Sequence, residues 1–432
     1  MKFLIRDSYK RVRNSQLGKD VFYVFIAQVM IMVSVFCINK IIGVFIGVAG
    51  FGLFSLIKRA GGVLCAVQKG GITIALPRYM ARFNKSTHKL VFHKNLLIAS
   101  LFIVGVYTLF TVLLYALFPD TFNQLLFQQD TLADSLILAT FIFSFGEVVS
   151  NLIYSFFQGM GNFKQYNIVR ITGNLLCLIF SFIFRYSVVA LVIGSYTALA
   201  IFSTSVVLLE LKKLEKIPIE RRLLKRSINT MFPYGSTRMG HELISLLRDV
   251  LPLSIILYRF DMDAVGLYSA ALSIPLTISP IFVFTGGIFL QRVSSLYKER
   301  KLYAINKVMN RVLLLFIVIA VLGTLFLIVL RQQLIHLFYS SAFDEAVEMS
   351  IFFSLSLVPR AVYLLYQNPL DAISTKPYNL IAVISSTIVL LALLFFAATL
   401  TQCALAYLVS SIIMAIFSLI FWQLQIKKSL IS

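Results

Sequence analysis

The chain has 432 residues, 59% of them hydrophobic and 13% charged, with a mean hydropathy of +0.89. So much apolar surface excludes a soluble globular protein, and apolar runs of about 17 to 27 residues point to helices crossing a hydrocarbon core of roughly 30 Å rather than to barrel strands. The formal charge of +21 would suggest nucleic acid in a soluble chain, but here membrane topology accounts for the excess, and no nucleic-acid partner is expected.

Lys2, Arg6, Lys10, Arg11, Arg13 and Lys19 precede the first apolar run, Val21 to Ile46, which is too long for a signal-peptide core and is expected to be retained. Eleven further spans follow: Gly52 to Leu76, Asn95 to Phe118, Leu132 to Phe157, Ile168 to Phe184, Ser187 to Leu209, Met231 to Leu257, Ala264 to Leu290, Val312 to Leu330, Val347 to Tyr366, Leu380 to Phe396 and Cys403 to Leu424. Loops rich in Lys and Arg alternate with loops nearly free of them: Arg78 to Lys94, Lys164, the strap Glu210 to Arg226, Arg292 to Lys307, and Lys376. This positive-inside pattern and the even span count predict both termini in the cytoplasm, in agreement with the Lys427-Lys428 tail. Cys37, Cys65, Cys177 and Cys403 all lie in predicted spans, so neither a disulfide framework nor a metal-binding spacing is expected.

The chain repeats itself. Gly52-Leu53-Phe54-Ser55 returns as Gly266-Leu267-Tyr268-Ser269, Pro77-Arg78 through Phe83 as Gln291-Arg292 through Tyr297, and Thr108-Leu109-Phe110 as Thr324-Leu325-Phe326. Tyr154 and Gln158 match Tyr363 and Gln367, and Tyr166-Asn167 matches Tyr378-Asn379. Each match is short, but all occur in order and at equivalent places in the topology. The expected architecture is an all-α integral membrane protein of about twelve transmembrane helices in two six-helix lobes, a parallel repeat. Its parts are a basic N-terminus (1–20), an N-lobe (21–211), a basic linker (212–228), a C-lobe (229–424) and a tail (425–432).

The approach to the second span, Gly47-Val48-Ala49-Gly50-Phe51-Gly52-Leu53-Phe54-Ser55, resembles a turn, G-x-x-x-[FY]-G-L-[FY]-S, of polysaccharide transporters in the multidrug/oligosaccharidyl-lipid/polysaccharide exporter superfamily. Gln158-Gly159-Met160-Gly161-Asn162-Phe163-Lys164-Gln165-Tyr166 resembles the Q-G-x-G-x-[FY]-K-x-Y loop after their fourth helix. Within the superfamily the chain looks most like O-antigen or capsule repeat-unit flippases. The resemblance implies two lobes around a central cavity of alternating access, moving an undecaprenyl-diphosphate-linked oligosaccharide across the bacterial inner membrane. It also implies a polysaccharide polymerase and a chain-length regulator as partners, alongside membrane lipids.

Ionisable groups at membrane depth are costly and should face a wet cavity or a partner. In the second span Lys58 and Lys69 fall within about 20° of each other on the helix, with Arg59 beside them; the alternative is that the two lysines snorkel to opposite interfaces. Arg238, Glu242, Ser245 and Asp249 share an arc of about 60° in the seventh span, with His241 and Arg248 on its shoulder. That stripe either lines water or neutralises itself, through Arg238 and Glu242 at i, i+4 and through Arg248 with a carboxylate on a neighbour. In the fourth span Glu147, Asn151, Tyr154 and Gln158 form a stripe whose copy carries Arg360 where Asn151 stands, and Pro359 is expected to bend the tenth helix. The reading assigns Lys58, Arg59, Lys69, Arg238, Arg248 and Arg360 to a lipid diphosphate, by charge-assisted hydrogen bonds, and Glu147, Glu242 and Asp249 to proton or sodium coupling. No cofactor or metal is expected.

No nucleophile elbow, zinc helix or dinucleotide fingerprint is present, which argues against an enzyme. A drug/cation antiporter of the same superfamily is the main alternative, but Val21 to Ile46 lacks the acidic residue typical of that branch. A lipid II flippase is the other; such proteins often carry two additional C-terminal helices.

Overall fold

The computed structural model describes residues 16–83, 86–121, 124, 134–276, 278–279, 282, 302–373 and 377–431, and every regular element among them is a helix. In chain order these are α1 (Gln16–Phe45), α2 (Val48–Lys69), α3 (Ile72–Phe83), α4 (Lys89–Leu117), α5 (Asp134–Met160), α6 (Phe163–Ile183), α7 (Val188–Lys213) and α8 (Arg221–Arg259). Then come α9 (Met262–Leu276), α10 (Leu302–Val329), α11 (Arg331–Phe338), a 3-10 turn (Ser341–Phe343), α12 (Glu345–Leu355), α13 (Leu357–Ile373), α14 (Tyr378–Phe396) and α15 (Leu400–Ile431). The basic N-terminal residues before Gln16, the repeat copy Gln291 to Tyr297, the basic residues Arg292 to Lys301 and Lys376 lie outside the described residues.

Among the described residues, 10 helices are long and apolar enough to cross a membrane, against the twelve expected. The difference has two sources. The seventh span lies in α8, which is 39 residues long but carries Arg238, Glu242, Arg248 and Asp249 through its middle. The eighth is described only as the short apolar helix α9.

Two predicted helices are divided. The second span, expected to run unbroken from Gly52 to Leu76, stops at Lys69, because Gly70 and Gly71 have φ of 52° and 67°, in the left-handed region that favours glycine. A Cβ on Gly71 would lie 2.1 Å from the Gly235 carbonyl oxygen of α8, so the break also lets two backbones touch. The tenth span is interrupted at Ser356, between α12 and α13. Pro359 sits in the first turn of α13, where its missing N–H leaves the carbonyl of Leu355 without the usual donor.

The loop motif after the fourth span acts as a helix stop followed at once by a helix start. The Asn162 N–H reaches back to the Phe157 carbonyl and the Gly161 N–H to that of Gln158, with Gly161 at φ 72°, a Schellman C-cap. The Asn162 side chain then accepts from the Gln165 N–H and caps α6.

The chain forms two compact units, Met1–Ile46 with Ile57–Leu246, and Gly47–Leu56 with Leu247–Ser432. In the first, α5 packs on α7, α6 on α7 and α1 on α6, with α3 against α5. Its core includes Leu97, Ile153, Phe156 and Phe157, all nearly inaccessible. Lys94 is buried there, and its Nζ donates to the Glu215 and Ile217 carbonyls at 3.2 and 2.7 Å, fixing the seven residues 214–220 that separate α7 from α8. The rest of the basic strap is helical.

The second unit repeats this internal pattern, with α13 on α15 and α14 on α15. The two copies of the Gly-Leu-[Phe/Tyr]-Ser motif meet in it. A Cβ on Gly52 would lie 2.3 Å from the Met262 carbonyl oxygen and 2.9 Å from the Gly266 nitrogen, and one on Gly266 would lie 2.2 Å from the Val48 carbonyl oxygen. Phe51 packs beside this crossing on Tyr339 and Phe343, with ring centroids 4.9 and 6.0 Å away.

Candidate functional site

In the first unit, α2, α5 and α8 bring four of the sequence-predicted residues together. Lys69 Nζ donates to Glu242 Oε1 at 2.6 Å, with side chains 13% and 27% exposed. Glu147 accepts from Asn151 Nδ2 at 3.1 Å, one helical turn away, and lies within Coulombic reach of Lys58, Lys69 and Arg170. Lys58 is accessible even though its neighbour Ile57 is fully buried; Arg59 is half-buried beside it.

Glu242 therefore pairs across helices with Lys69 and not with Arg238 one turn back in α8. Arg238 stands apart, its guanidinium 5.5 Å from the centre of the Tyr234 ring, which Arg78 approaches at 4.6 Å. The side chain of His241 is outside the described residues. A double-mutant cycle on Lys69→Met and Glu242→Gln, read by thermal unfolding, is expected to give a coupling on the order of 1 kcal/mol or more. Additive single-variant effects would show that the pair contributes nothing.

In the second unit, α8, α13 and α15 build a cluster around Tyr407. Arg248 is 5% exposed. Its Nη2 donates to Ser410 Oγ at 3.1 Å and Ser411 Oγ at 3.3 Å, its Nη1 lies 3.3 Å from Met414 Sδ, and its guanidinium is 5.4 Å from the Tyr407 ring centre. Arg360 Nη1 donates to the Tyr407 hydroxyl at 2.9 Å, and Asp249 lies within its Coulombic reach. Both arginines keep a buried Nε–H with no hydrogen-bond partner. Two guanidiniums thus share one tyrosine; Arg248 is held by neutral hydroxyls and a thioether, and Asp249 is the carboxylate near Arg360. Of the two alternatives for Arg248, pairing with a carboxylate on a neighbour is not the one seen: its side-chain partners on α15 are Ser410 and Ser411.

Four contributors escaped sequence reasoning. Tyr407, Ser410 and Ser411 stand at i, i+3 and i+4 in an otherwise apolar helix, a polar stripe visible in principle. Arg170, on α6, sits over the Tyr166 ring at 5.1 Å, and its place inside a predicted span was itself a signal. The duplicated Tyr-Asn pair serves packing: Asn379 Nδ2 donates to the Gln367 carbonyl at 2.7 Å, tying α14 to α13. Among the described residues no three His, Cys, Asp or Glu side chains gather as a metal site, and the four cysteines form no disulfide.

A bundle of this kind, with 10 helices among the described residues long and apolar enough to cross a bilayer, is that of a multi-pass membrane protein. Its fold is similar to a multidrug-resistance MATE-family transporter of the MOP superfamily in its inward-facing conformation (TM-score 0.72, 13% identity, 95% of this chain and 98% of that one). It is also similar to the lipid II flippase MurJ in an inward closed conformation (0.68, 16%, 95% and 89%). A third similar structure is a MOP transporter from Pyrococcus furiosus (0.66, 15%, 95% and 96%). By sequence, no curated protein matches the chain. The profile of the polysaccharide biosynthesis protein family matches residues 17–289, and the chain belongs to that family. Its fold is the one these MOP-superfamily structures share.

Proposed function

We propose that this transporter flips a polyprenyl-diphosphate-linked oligosaccharide, an O-antigen or other surface-polysaccharide repeat unit, from the inner to the outer leaflet of the bacterial cytoplasmic membrane. Both termini face the cytoplasm. A polysaccharide polymerase, working with a chain-length regulator, takes up the product. The observation that carries this reading is the pair of arginines on Tyr407, each with a spare buried donor. Guanidinium donors suit phosphate oxygens, and family membership supplies the glycan.

In this reading Arg248 and Arg360 of the second unit, and Lys58, Arg59 and Lys69 of the first, contact the diphosphate at successive stages of alternating access. Arg238 contributes long-range attraction. Lys69 exchanges the Glu242 carboxylate for a phosphate oxygen, and the carboxylate so released takes up a proton or Na+. Glu147 and Asp249 are the remaining coupling groups. A drug/cation antiporter is supported less well, because Glu242 is engaged with Lys69 and Glu147 lies among cations.

Native mass spectrometry of the purified protein against undecaprenyl diphosphate, undecaprenyl monophosphate and a lipophilic drug cation tests the proposal. The diphosphate is expected to bind in preference to the other two, and an Arg59→Ala, Arg248→Ala double variant to lose at least about tenfold in affinity, roughly 1.4 kcal/mol. Preference for the drug cation, unchanged in the double variant, would move the assignment to the drug exporters.

A further inference from the structure

We propose that the first turns of α8, with α3 and α4 beside them, form a binding site for an anionic phospholipid, separate from the groups assigned to transport. At 39 residues and 1.5 Å rise per residue, α8 is about 58 Å long, well beyond the roughly 30 Å hydrocarbon core. Its N-terminal turns therefore belong to the headgroup region. They are amphipathic: Leu224 and Ile228 pack against the core of the first unit and Met231 is fully buried, whereas Arg221, Arg222, Lys225 and Arg226 are exposed.

A cavity of about 270 Å³ opens there, lined by Arg226, Ser227 and Thr230 of α8, Tyr79 and Phe83 of α3 and Phe92 of α4. One side is polar, with a guanidinium and two hydroxyls within a single helical turn. The other is apolar, formed by the Phe83 and Phe92 rings, which stack with centroids 3.9 Å apart. This two-sided lining suits a phosphodiester with the first carbons of its glycerol and acyl chains. The volume lies just below the roughly 300 to 1,000 Å³ of drug-sized ligand sites, which suits a headgroup.

Charge complementarity selects among lipids. Lys94 holds the linker by its carbonyls, and the linker is balanced, with Lys212, Lys213 and Lys216 against Glu210, Glu215 and Glu220 and Lys213 paired with Glu210 at 2.6 Å, so the positive excess comes from Arg221, Arg222, Lys225 and Arg226 of α8. A net-negative headgroup is favoured at such a surface, by roughly fivefold for each Lys or Arg close to it. A zwitterionic headgroup gains little, since its ammonium would meet Arg226.

The test is native mass spectrometry of the full chain in detergent, titrated with phosphatidylglycerol, phosphatidylethanolamine or undecaprenyl diphosphate. Phosphatidylglycerol is expected to bind about fivefold or more better than phosphatidylethanolamine. Arg226→Gln is expected to remove most of that preference, and Lys212→Gln with Lys213→Gln to leave most of it. If Arg226→Gln fails to fold, Thr230→Val serves as the second variant, with a smaller loss of the same preference expected. Equal binding of the two phospholipids would overturn the proposal, as would equal losses in the cavity and linker variants, which mean diffuse attraction. Displacement of phosphatidylglycerol by undecaprenyl diphosphate at equal concentration would also overturn it, by making the cavity part of the transport path.

Discussion

Gly52→Ala is expected to lower stability by about 3 kcal/mol or more, at the upper end of overpacking effects, and to reduce the amount of folded protein in the membrane. The added Cβ would stand 2.3 Å from the Met262 carbonyl oxygen and 2.9 Å from the Gly266 nitrogen. Both are backbone atoms, so relief requires α2 and α9 to separate rather than a side chain to rotate. Gly71→Ala should be as severe for two reasons, a φ of 67° and the Gly235 carbonyl 2.1 Å away. Gly62 and Gly240 are the controls: each lies in a helix with nothing within 4 Å of an added Cβ. Alanine there is expected to be neutral or to stabilise by about 0.5 to 1 kcal/mol through helix propensity. Thermal unfolding in detergent reads all four variants. A Gly52→Ala protein that melts with Gly62→Ala would mean the motif glycines are not contact residues.

Glu147→Gln is expected to keep the fold and to reduce gradient-driven translocation by tenfold or more. The substitution retains a side-chain carbonyl for Asn151 Nδ2 while removing one negative charge from the neighbourhood of Lys58, Lys69 and Arg170. If Glu147 carries the coupling ion in the proposed cycle, only steps that depend on its charge suffer. In proteoliposomes holding a lipid-linked glycan, translocation driven by an imposed proton or sodium gradient should fall, while exchange without a gradient persists. Equal loss of both would assign Glu147 to substrate binding. An undiminished response to both gradients would remove it from the mechanism. Glu147→Leu should be the less stable variant, because it gives up the side-chain hydrogen bond from Asn151 that Glu147→Gln retains and leaves only the one to the Glu147 carbonyl at 2.7 Å.

The paired glycines show how a sequence repeat becomes a structural contact. Gly52 and Gly266 are legible as repeat mates because the same four-residue motif returns 214 positions later. That they touch is not legible, since recurrence along a chain does not say where two copies cross. The break at Gly70-Gly71 is masked because Ile72 to Leu76 carry the apolar run on beyond it, although polar Gln68 and Lys69 followed by two glycines are themselves a turn signal. The loop Gln158 to Tyr166 was easier, because Gly161 and Asn162 are the residue types that a Schellman stop and an N-cap require.

By itself the sequence determined that this is a helical membrane protein with an internal repeat, approximately where most spans begin and end, and which residues carry charge into the bilayer. Hydropathy and period are properties of single segments, and the penalty for leaving a charge in hydrocarbon needs no knowledge of neighbours. Only the tertiary structure decided the partners. Glu242 chose Lys69 over Arg238, its neighbour one turn back in α8, because α2 brings the ammonium within 2.6 Å. Arg248 settled on Ser410 and Ser411 and shared Tyr407 with Arg360 because α15 presents those three side chains on one face. Pairing energies depend on distances between helices, and no pattern within one helix contains them.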